Sequence, residues 1–227
     1  DRNAATGMDY TREVWRWLCD RTNLLRFGIV GVMPRVFIDA FTRFGSKPNQ
    51  HHAHPWTLEH LIDEMRHCSV SGALVTCTAQ HLYDAATENM RLLGKIADHP
   101  ELVPIWNVLP ADTGEMPSPD ELLRRMDQHN IRAVTAMPST NAWHPVGRSA
   151  RPLWAALQES RALVIIDPAE MHFGHIEQLL EQFPALPVLL QNVPWGAVRA
   201  ATGVMLHYEY CHLMFDLFQV NEAIEWF

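Results

Sequence analysis

Charged and amide side chains follow several of the short apolar runs in this 227-residue sequence. Carboxylates and a histidine can carry protons, whereas an arginine can hold a carboxylate or a phosphate through two parallel hydrogen bonds. The candidates for proton transfer are Asp39, Asp167, His172 and Asp216. The candidates for substrate binding are Arg43, Trp106, Asn107, Asn192 and Trp195, of which the two tryptophans would line an apolar pocket.

Histidines at two places in the sequence bear on this chemistry. His172 follows the fifth apolar run, where it is a candidate for a group that titrates near neutral pH. A cluster of three more, His51, His52 and His54, precedes a predicted helix cap at Thr57. That cluster is either a solvated loop or a source of an acid or base that leans over the site, and the sequence leaves both interpretations open.

Seven apolar runs of strand length alternate with amphipathic helical segments. The predicted strands span residues 36–40, 73–77, 102–108, 133–137, 163–166, 188–190 and 213–215. Each run is short and is bounded by Pro, Gly, Asp or Asn, which is typical of strands buried on both faces of a parallel sheet. The helix that begins near Ser118 combines a cap residue, Pro119 at its first position and two acids in its first turn.

This alternation predicts the α/β class, with a (β/α)8 TIM-like barrel as the architecture. A doubly wound open sheet is the alternative, but it would usually carry a Gly-rich phosphate turn, and Gly45 and Gly72 are isolated. In a barrel the site lies at the carboxyl ends of the strands, where the candidates above stand. The eighth strand is missing before Phe227, so we expect the sequence to end inside the architecture.

The first 35 residues predict a helical extension ahead of a barrel domain at residues 36–227. Residues 10–25 form an amphipathic pattern that contains Trp15 and Trp17. Exposed aromatic side chains at this density usually contact a partner. We therefore expect a homo-oligomer that assembles through the N-terminal helix.

Composition narrows the classes of partner. The formal net charge is -8, and no basic cluster exceeds the pair Arg124 and Arg125, which argues against nucleic acid and against a membrane surface. No stretch approaches the roughly 20 apolar residues that a membrane helix needs. The four cysteines are widely spaced, as free thiols in a reducing compartment are, and we expect a cytoplasmic protein.

A resemblance to a known family rests on four segments, taken in their order and spacing: residues 36–45, 109–115, 183–192 and 218–226. In these the chain resembles the amidohydrolase-related family, the metal-dependent (β/α)8 hydrolases and decarboxylases. The resemblance implies hydrolysis or decarboxylation of a small carboxylated molecule at the mouth of the barrel.

The sequence departs from the metal-binding pattern of that family. The family's first strand ends Asp-x-His-x-His, but the matching positions here are Phe41 and Arg43, neither of which offers a lone pair. The family's fifth- and sixth-strand histidines fall at about Asp167 and Asn192, and its eighth-strand aspartate would lie beyond Phe227. We therefore predict a degenerate metal site with no cofactor.

Arg43 would then supply the charge that the metal supplies in the family, and would anchor a small-molecule carboxylate. Asp39 or Asp167 would orient the Arg43 guanidinium. The alternative is an Arg–Asp ion pair that merely fills the mouth of an inactive barrel. The sequence thus predicts a hydrolase or decarboxylase without the usual metal, or else a non-catalytic binding or scaffold protein.

Overall fold

A computed structural model describes residues 37–46 and 57–215, in which seven strands form one parallel sheet. The strands are β1 (Phe37–Phe44), β2 (Val70–Cys77), β3 (Leu102–Val108), β4 (Ala133–Ala136), β5 (Leu163–Ile166), β6 (Val188–Val193) and β7 (Cys211–Phe215). All seven predicted strands are confirmed. Four of them, β1, β2, β6 and β7, are longer than their apolar runs because polar and apolar neighbours continue the pairing at their ends.

Helices occupy the connections between the strands. They are α1 (Leu58–His67), α2 (Thr78–Leu82), α3 (Ala85–Lys95), α4 (Pro119–Gln128), α5 (Arg151–Ser160), α6 (Phe173–Gln182) and α7 (Val198–His207). The predicted start of α4 is confirmed, since the Ser118 hydroxyl accepts a hydrogen bond from the Glu121 amide at 3.4 Å. That bond satisfies one of the amides that the first helical turn leaves without a partner.

The order of the strands decides between the two predicted architectures. The strands lie side by side in chain order from β1 to β7, and all six pairs are parallel. A doubly wound sheet reverses its order once, whereas a barrel adds each new strand on the same side. Because crossover connections share one hand, the helices then cover a single face and the sheet curls around the other. The TIM-like barrel architecture is therefore confirmed.

Apolar clusters cover both faces of the curled sheet. On the outer face, strand residues such as Trp106, Val134 and Val164 pack with helix residues such as Leu122 and Leu180. A second outer cluster joins β1 and β2 to α1 and α3. On the inner face, a smaller cluster contains Leu74, Ile105, Ala133 and Ile165, with the half-buried Ile38, Phe41 and Leu189 against it. This inner cluster lies inside the curled sheet, directly before the carboxyl ends of the strands.

Several predicted features lie outside the described residues. These are the N-terminal helical extension with its two tryptophans, the histidine cluster at residues 51–54, and Asp216. Within the described residues, no helix has the length and apolar character to cross a membrane.

Candidate functional site

The inner face of the sheet changes from apolar to polar at the carboxyl ends of the strands. Side chains two residues apart in a strand share a face. The residue two positions after each member of the inner cluster therefore also faces inward. On four strands the next inward residue is polar where the previous one is apolar. The pairs are Leu74 and Thr76, Ile105 and Asn107, Ala133 and Thr135, and Leu189 and Gln191. All four polar side chains are buried. The buried polar layer lies where (β/α) barrels carry their sites.

A bulge in β1 decides which of its residues reach this layer. Three steps along β1, from Asp39 to Thr42, match only two along β2, from Ala73 to Val75. The extra residue reverses the alternation, so that Asp39 pairs with Ala73 of the outer cluster while Arg43 pairs with the inward Thr76. Without the bulge, Asp39 and Arg43 would share one face.

Asp39 is held within the bulge by its own backbone. Its carboxylate accepts a hydrogen bond from the Phe41 amide at 3.0 Å. Burial raises the pKa of Asp39, and that hydrogen bond acts in the opposite direction. The register thus places Asp39 away from Arg43 and lends no support to its predicted role in proton transfer.

Arg43 is half-buried on the inner face, with His81 as a close polar neighbour. Its Nη1 donates a long hydrogen bond, 3.4 Å, to Nδ1 of His81. Burial lowers the pKa of Arg43, and the negative charge of Asp167 raises it. Among the described residues, no carboxylate forms an ion pair with Arg43. The guanidinium therefore keeps donors that can bind an anion.

Asp167 and Asn192, both predicted site residues, are brought together. One oxygen of Asp167 accepts from the Ala169 amide at 2.8 Å, and the other accepts from the Asn192 side-chain amide at 2.8 Å. Asn192 occupies a second bulge, in β6, with the left-handed backbone angle φ of 51°. Asparagine tolerates that conformation better than most residues, and the bulge turns its side chain toward Asp167.

A network of buried polar side chains stands beside Arg43, at the ends of β2 and β3. Thr76 contacts both Gln80, at 2.7 Å, and the His81 Nε2 atom, at 3.0 Å. Gln80 donates to Asn89 at 2.7 Å and to the carbonyl of Ile105 at 2.9 Å. These side chains were not among the sequence candidates, although Thr76 follows Leu74 at the two-residue interval of the inner face.

Asn107, a predicted substrate-binding residue, joins the same network. Its backbone amide donates to Asn89 at 2.9 Å, and its side-chain amide donates to the Gln80 carbonyl at 2.8 Å and to Asn141 at 3.2 Å. Asn141 in turn donates to the His81 carbonyl at 3.1 Å. The side-chain oxygen of Asn107 is buried without a hydrogen-bond partner in the described part of the chain, and so is that of Gln191.

Comparisons with known proteins identify the fold. No family model matches the chain, and no curated protein does. Solved structures do match. An uncharacterized TIM-barrel protein from Bordetella bronchiseptica has a TM-score of 0.55 at 18% identity, over 69% of this chain and 58% of that chain. The dihydroxybenzoic acid decarboxylase from Polaromonas sp. JS666, solved with manganese and the inhibitor 2-nitroresorcinol, has a TM-score of 0.55 at 11% identity, over 85% and 90% of the two chains.

A third structure is 5-carboxyvanillate decarboxylase from Sphingomonas paucimobilis, with a TM-score of 0.53 at 15% identity, over 73% of this chain and 66% of that chain. This chain has a TIM-barrel fold similar to that of these proteins. The predicted barrel is thereby confirmed a second time, independently of the strand order. At these identities the likeness shows the fold alone, and this chain spans little more than half of the Bordetella protein.

The donors that the described residues place at the barrel mouth do not fit a divalent metal. Phe41 packs against the inner apolar cluster, and Arg43 has no lone pair to offer. Both oxygens of Asp167 already accept hydrogen bonds. Within residues 37–46 and 57–215, no three His, Cys, Asp or Glu side chains are grouped so that they could hold a metal ion. Manganese and zinc need several such ligands at one point.

The remaining candidates lie apart from Arg43. Trp106 faces the helices, where it is buried in the outer core with its ring 6.0 Å from that of His129. His172 is exposed and caps α6, since its Nδ1 accepts from the Gly174 amide at 3.2 Å. The backbone of Trp195 begins a short 3-10 turn after β6. Of the candidates in the described residues, the structure thus gathers Arg43, Asn107, Asp167 and Asn192 around the carboxyl end of the barrel.

Proposed function

We propose that the barrel mouth binds a small carboxylate through Arg43, and that the protein is an amidohydrolase-like hydrolase or decarboxylase of such a molecule. One observation carries the proposal. Arg43 is a half-buried guanidinium on the inner face that has no ion pair among the described residues. A cation taken out of water costs free energy unless an opposite charge offsets it. A carboxylate ligand would supply that charge bidentately.

Asp167 is the proton carrier that this geometry favours. Its charge acts on Arg43, and its two hydrogen bonds orient the carboxylate. In hydrolysis it would take a proton from the attacking water. In decarboxylation it would first take up a proton from solvent and would then give that proton to the carbon that loses carbon dioxide. Both roles use one carboxylate, and neither uses a metal in the family's first-strand positions.

The names of similar structures suggest which carboxylates to test. Besides the two decarboxylases above, 2,6-dihydroxybenzoate decarboxylase complexed with 2,6-dihydroxybenzoate has a TM-score of 0.52 at 11% identity. Aromatic carboxylates are therefore the first compounds to offer to this protein. The proposal for this chain rests on Arg43 and not on those names.

The second candidate function is binding without turnover. It is favoured by the placement of Asp39 on the outer side of the bulge and of His172 at an exposed helix cap. These placements leave Asp167 as the candidate carboxylate described near Arg43. A protein of this kind would hold a carboxylate and release it unchanged.

Calorimetric titration separates these possibilities. We expect benzoate and 2,6-dihydroxybenzoate to bind and the uncharged benzamide not to bind. Arg43→Met should weaken benzoate binding by at least about tenfold, or ~1.4 kcal/mol, whereas Arg148→Met, at an exposed arginine, should leave it unchanged. Release of carbon dioxide from 2,6-dihydroxybenzoate would then distinguish an enzyme from a binding protein. A more stable Arg43→Met variant with unaltered affinity for benzoate would rule out the anion site.

A further inference from the structure

His81 is the polar side chain that contacts Arg43, and it is almost fully buried, at 2% exposure. It belongs to α2, which begins directly after β2, and it was not among the residues that the sequence singled out. A buried imidazole against a guanidinium is an unusual pairing, because a protonated histidine would put two cations together. The hydrogen bonds around it show which form the ring takes.

The backbone amide of Cys77 fixes the direction of the described hydrogen bonds that run from Gln80 through Thr76 to His81. The Cys77 amide can only donate, and it points at the Gln80 side chain at 2.6 Å, so the atom there is the oxygen Oε1. That oxygen has no hydrogen, so the Thr76 hydroxyl must donate to it. The Thr76 oxygen is then an acceptor toward His81, and the ring nitrogen Nε2 must carry a hydrogen.

The contact with Arg43 shows whether the other ring nitrogen, Nδ1, carries a hydrogen. A guanidinium only donates, so the contact from its Nη1 requires a lone pair on Nδ1 of His81. Both ends of the ring therefore agree on one form, the neutral imidazole with its hydrogen on Nε2. The chain of donors runs from Arg43 through His81 and Thr76 to Gln80.

The far side of the network holds the ring in place. Gln80 is fully buried and is bound to Asn89 and to the Ile105 carbonyl of β3. Asn141, from the loop after β4, donates to the His81 carbonyl. The orientation of the imidazole is thus tied to β2, to β3 and to the loop after β4, and its Nδ1 atom is presented to Arg43.

We infer that His81 is a positioning residue, whose Nδ1 lone pair orients the Arg43 guanidinium toward a carboxylate in the barrel mouth. The inference rests on the proposed anion site for its ligand, but the pairing of the two side chains can be measured without one. His81 holds one guanidinium nitrogen and leaves the other donors of Arg43 for the anion. Its neutral form accepts from Arg43, whereas a protonated ring would repel the guanidinium.

Two substitutions separate positioning from packing. Asparagine at position 81 can place its oxygen near the Nδ1 position, whereas glutamine can reach the Nε2 position. We expect His81→Asn to bind benzoate nearly as well as the unaltered protein. His81→Gln keeps the contact with Thr76 but not the one with Arg43, and should bind benzoate about tenfold more weakly. His144→Gln, at an exposed histidine on another loop, is the matched control with unchanged affinity.

Nitrogen NMR of the imidazole rings tests the pairing directly in the unaltered protein. At neutral pH we expect His81 as the Nε2–H tautomer with a hydrogen-bonded Nδ1, and we expect the Nδ1 resonance to move in Arg43→Met. A protonated ring or the Nδ1–H tautomer would overturn the inference, as would equal benzoate affinity of His81→Asn and His81→Gln.

Benzoate binding by the Arg43 and His81 variants distinguishes an absent anion site from an absent role of His81. If Arg43→Met and the unaltered protein bind benzoate equally, or neither binds it, the anion site fails and His81 has nothing to position. If Arg43→Met loses benzoate while His81→Gln retains it, the anion site stands and the role of His81 alone is refuted.

Discussion

At the scale of single residues, the chemistry of the barrel mouth depends on which side of a strand each side chain takes. Arg43 and Asp39 are four positions apart and would face the same way in a regular strand. The bulge between them sends Arg43 inward to His81 and Asp39 outward to the register of Ala73. One inserted residue thus separates the two groups that a simple alternation would pair.

The pKa of Asp39 leads to a prediction about stability. Burial raises this pKa above its ordinary value of 3.8. The charged form therefore disfavours folding, and it does so increasingly as the pH rises from the unfolded pKa through the folded one. Asp39→Asn keeps an oxygen for the Phe41 amide and removes the charge. We expect it to raise the free energy of unfolding near pH 7 and to have no such effect near pH 3.

Urea denaturation at the two pH values measures this difference. A gain that persisted near pH 3, where both proteins are uncharged at this position, would point to packing instead of ionisation. If turnover of a carboxylate is found, the same variant also tests the predicted role of Asp39 in proton transfer. The outward placement leads us to expect that activity is retained.

At the scale of elements, the second bulge positions Asn192. Its backbone takes the left-handed conformation while its side chain donates to Asp167. Glycine adopts this conformation freely, whereas alanine pays about 1–2 kcal/mol for it. Replacing Asn192 by each of the two therefore separates the backbone contribution from that of the hydrogen bond.

We expect Asn192→Ala to be less stable than Asn192→Gly by about 1 kcal/mol in urea denaturation. Both variants lose the hydrogen bond to Asp167, so both should change any pH dependence of turnover in the same way. Equal stability of the two variants would show that the strand relaxes out of the left-handed conformation and that the bulge is not held by the rest of β6.

The elements themselves were largely predictable. Apolar runs bounded by turn residues identify all seven strands, and the cap at Ser118 identifies the start of α4, because both signals are local in the chain. The two-residue interval could also have marked Thr76, Thr135 and Gln191 as inward residues. The bulges carried no comparable signal, so the faces of Asp39 and Asn192 could not be predicted.

At the scale of the whole molecule, one prediction concerns contact between copies of the chain. The N-terminal segment with Trp15 and Trp17 lies outside the described residues, and we propose, from its amphipathic pattern, that it forms a contact between copies. Substitution of both tryptophans by glutamine should lower the mass measured by sedimentation equilibrium toward that of a single chain. An unchanged mass would refute this contact, provided that circular dichroism shows a folded barrel.

The sequence alone determined the order of strands and helices and the kind of fold, because hydrophobic period and helix caps act over a few residues. Only the tertiary structure decided which polar groups meet. Asn107 and Asn192 were candidates, but His81, Gln80 and Asn141 were not, since they come from α2 and from the loop after β4, which the barrel brings together. It also decided that Arg43 contacts His81 while Asp39 takes the other side of β1. That outcome depends on one extra residue in β1 and on hydrogen bonds between residues far apart in the chain.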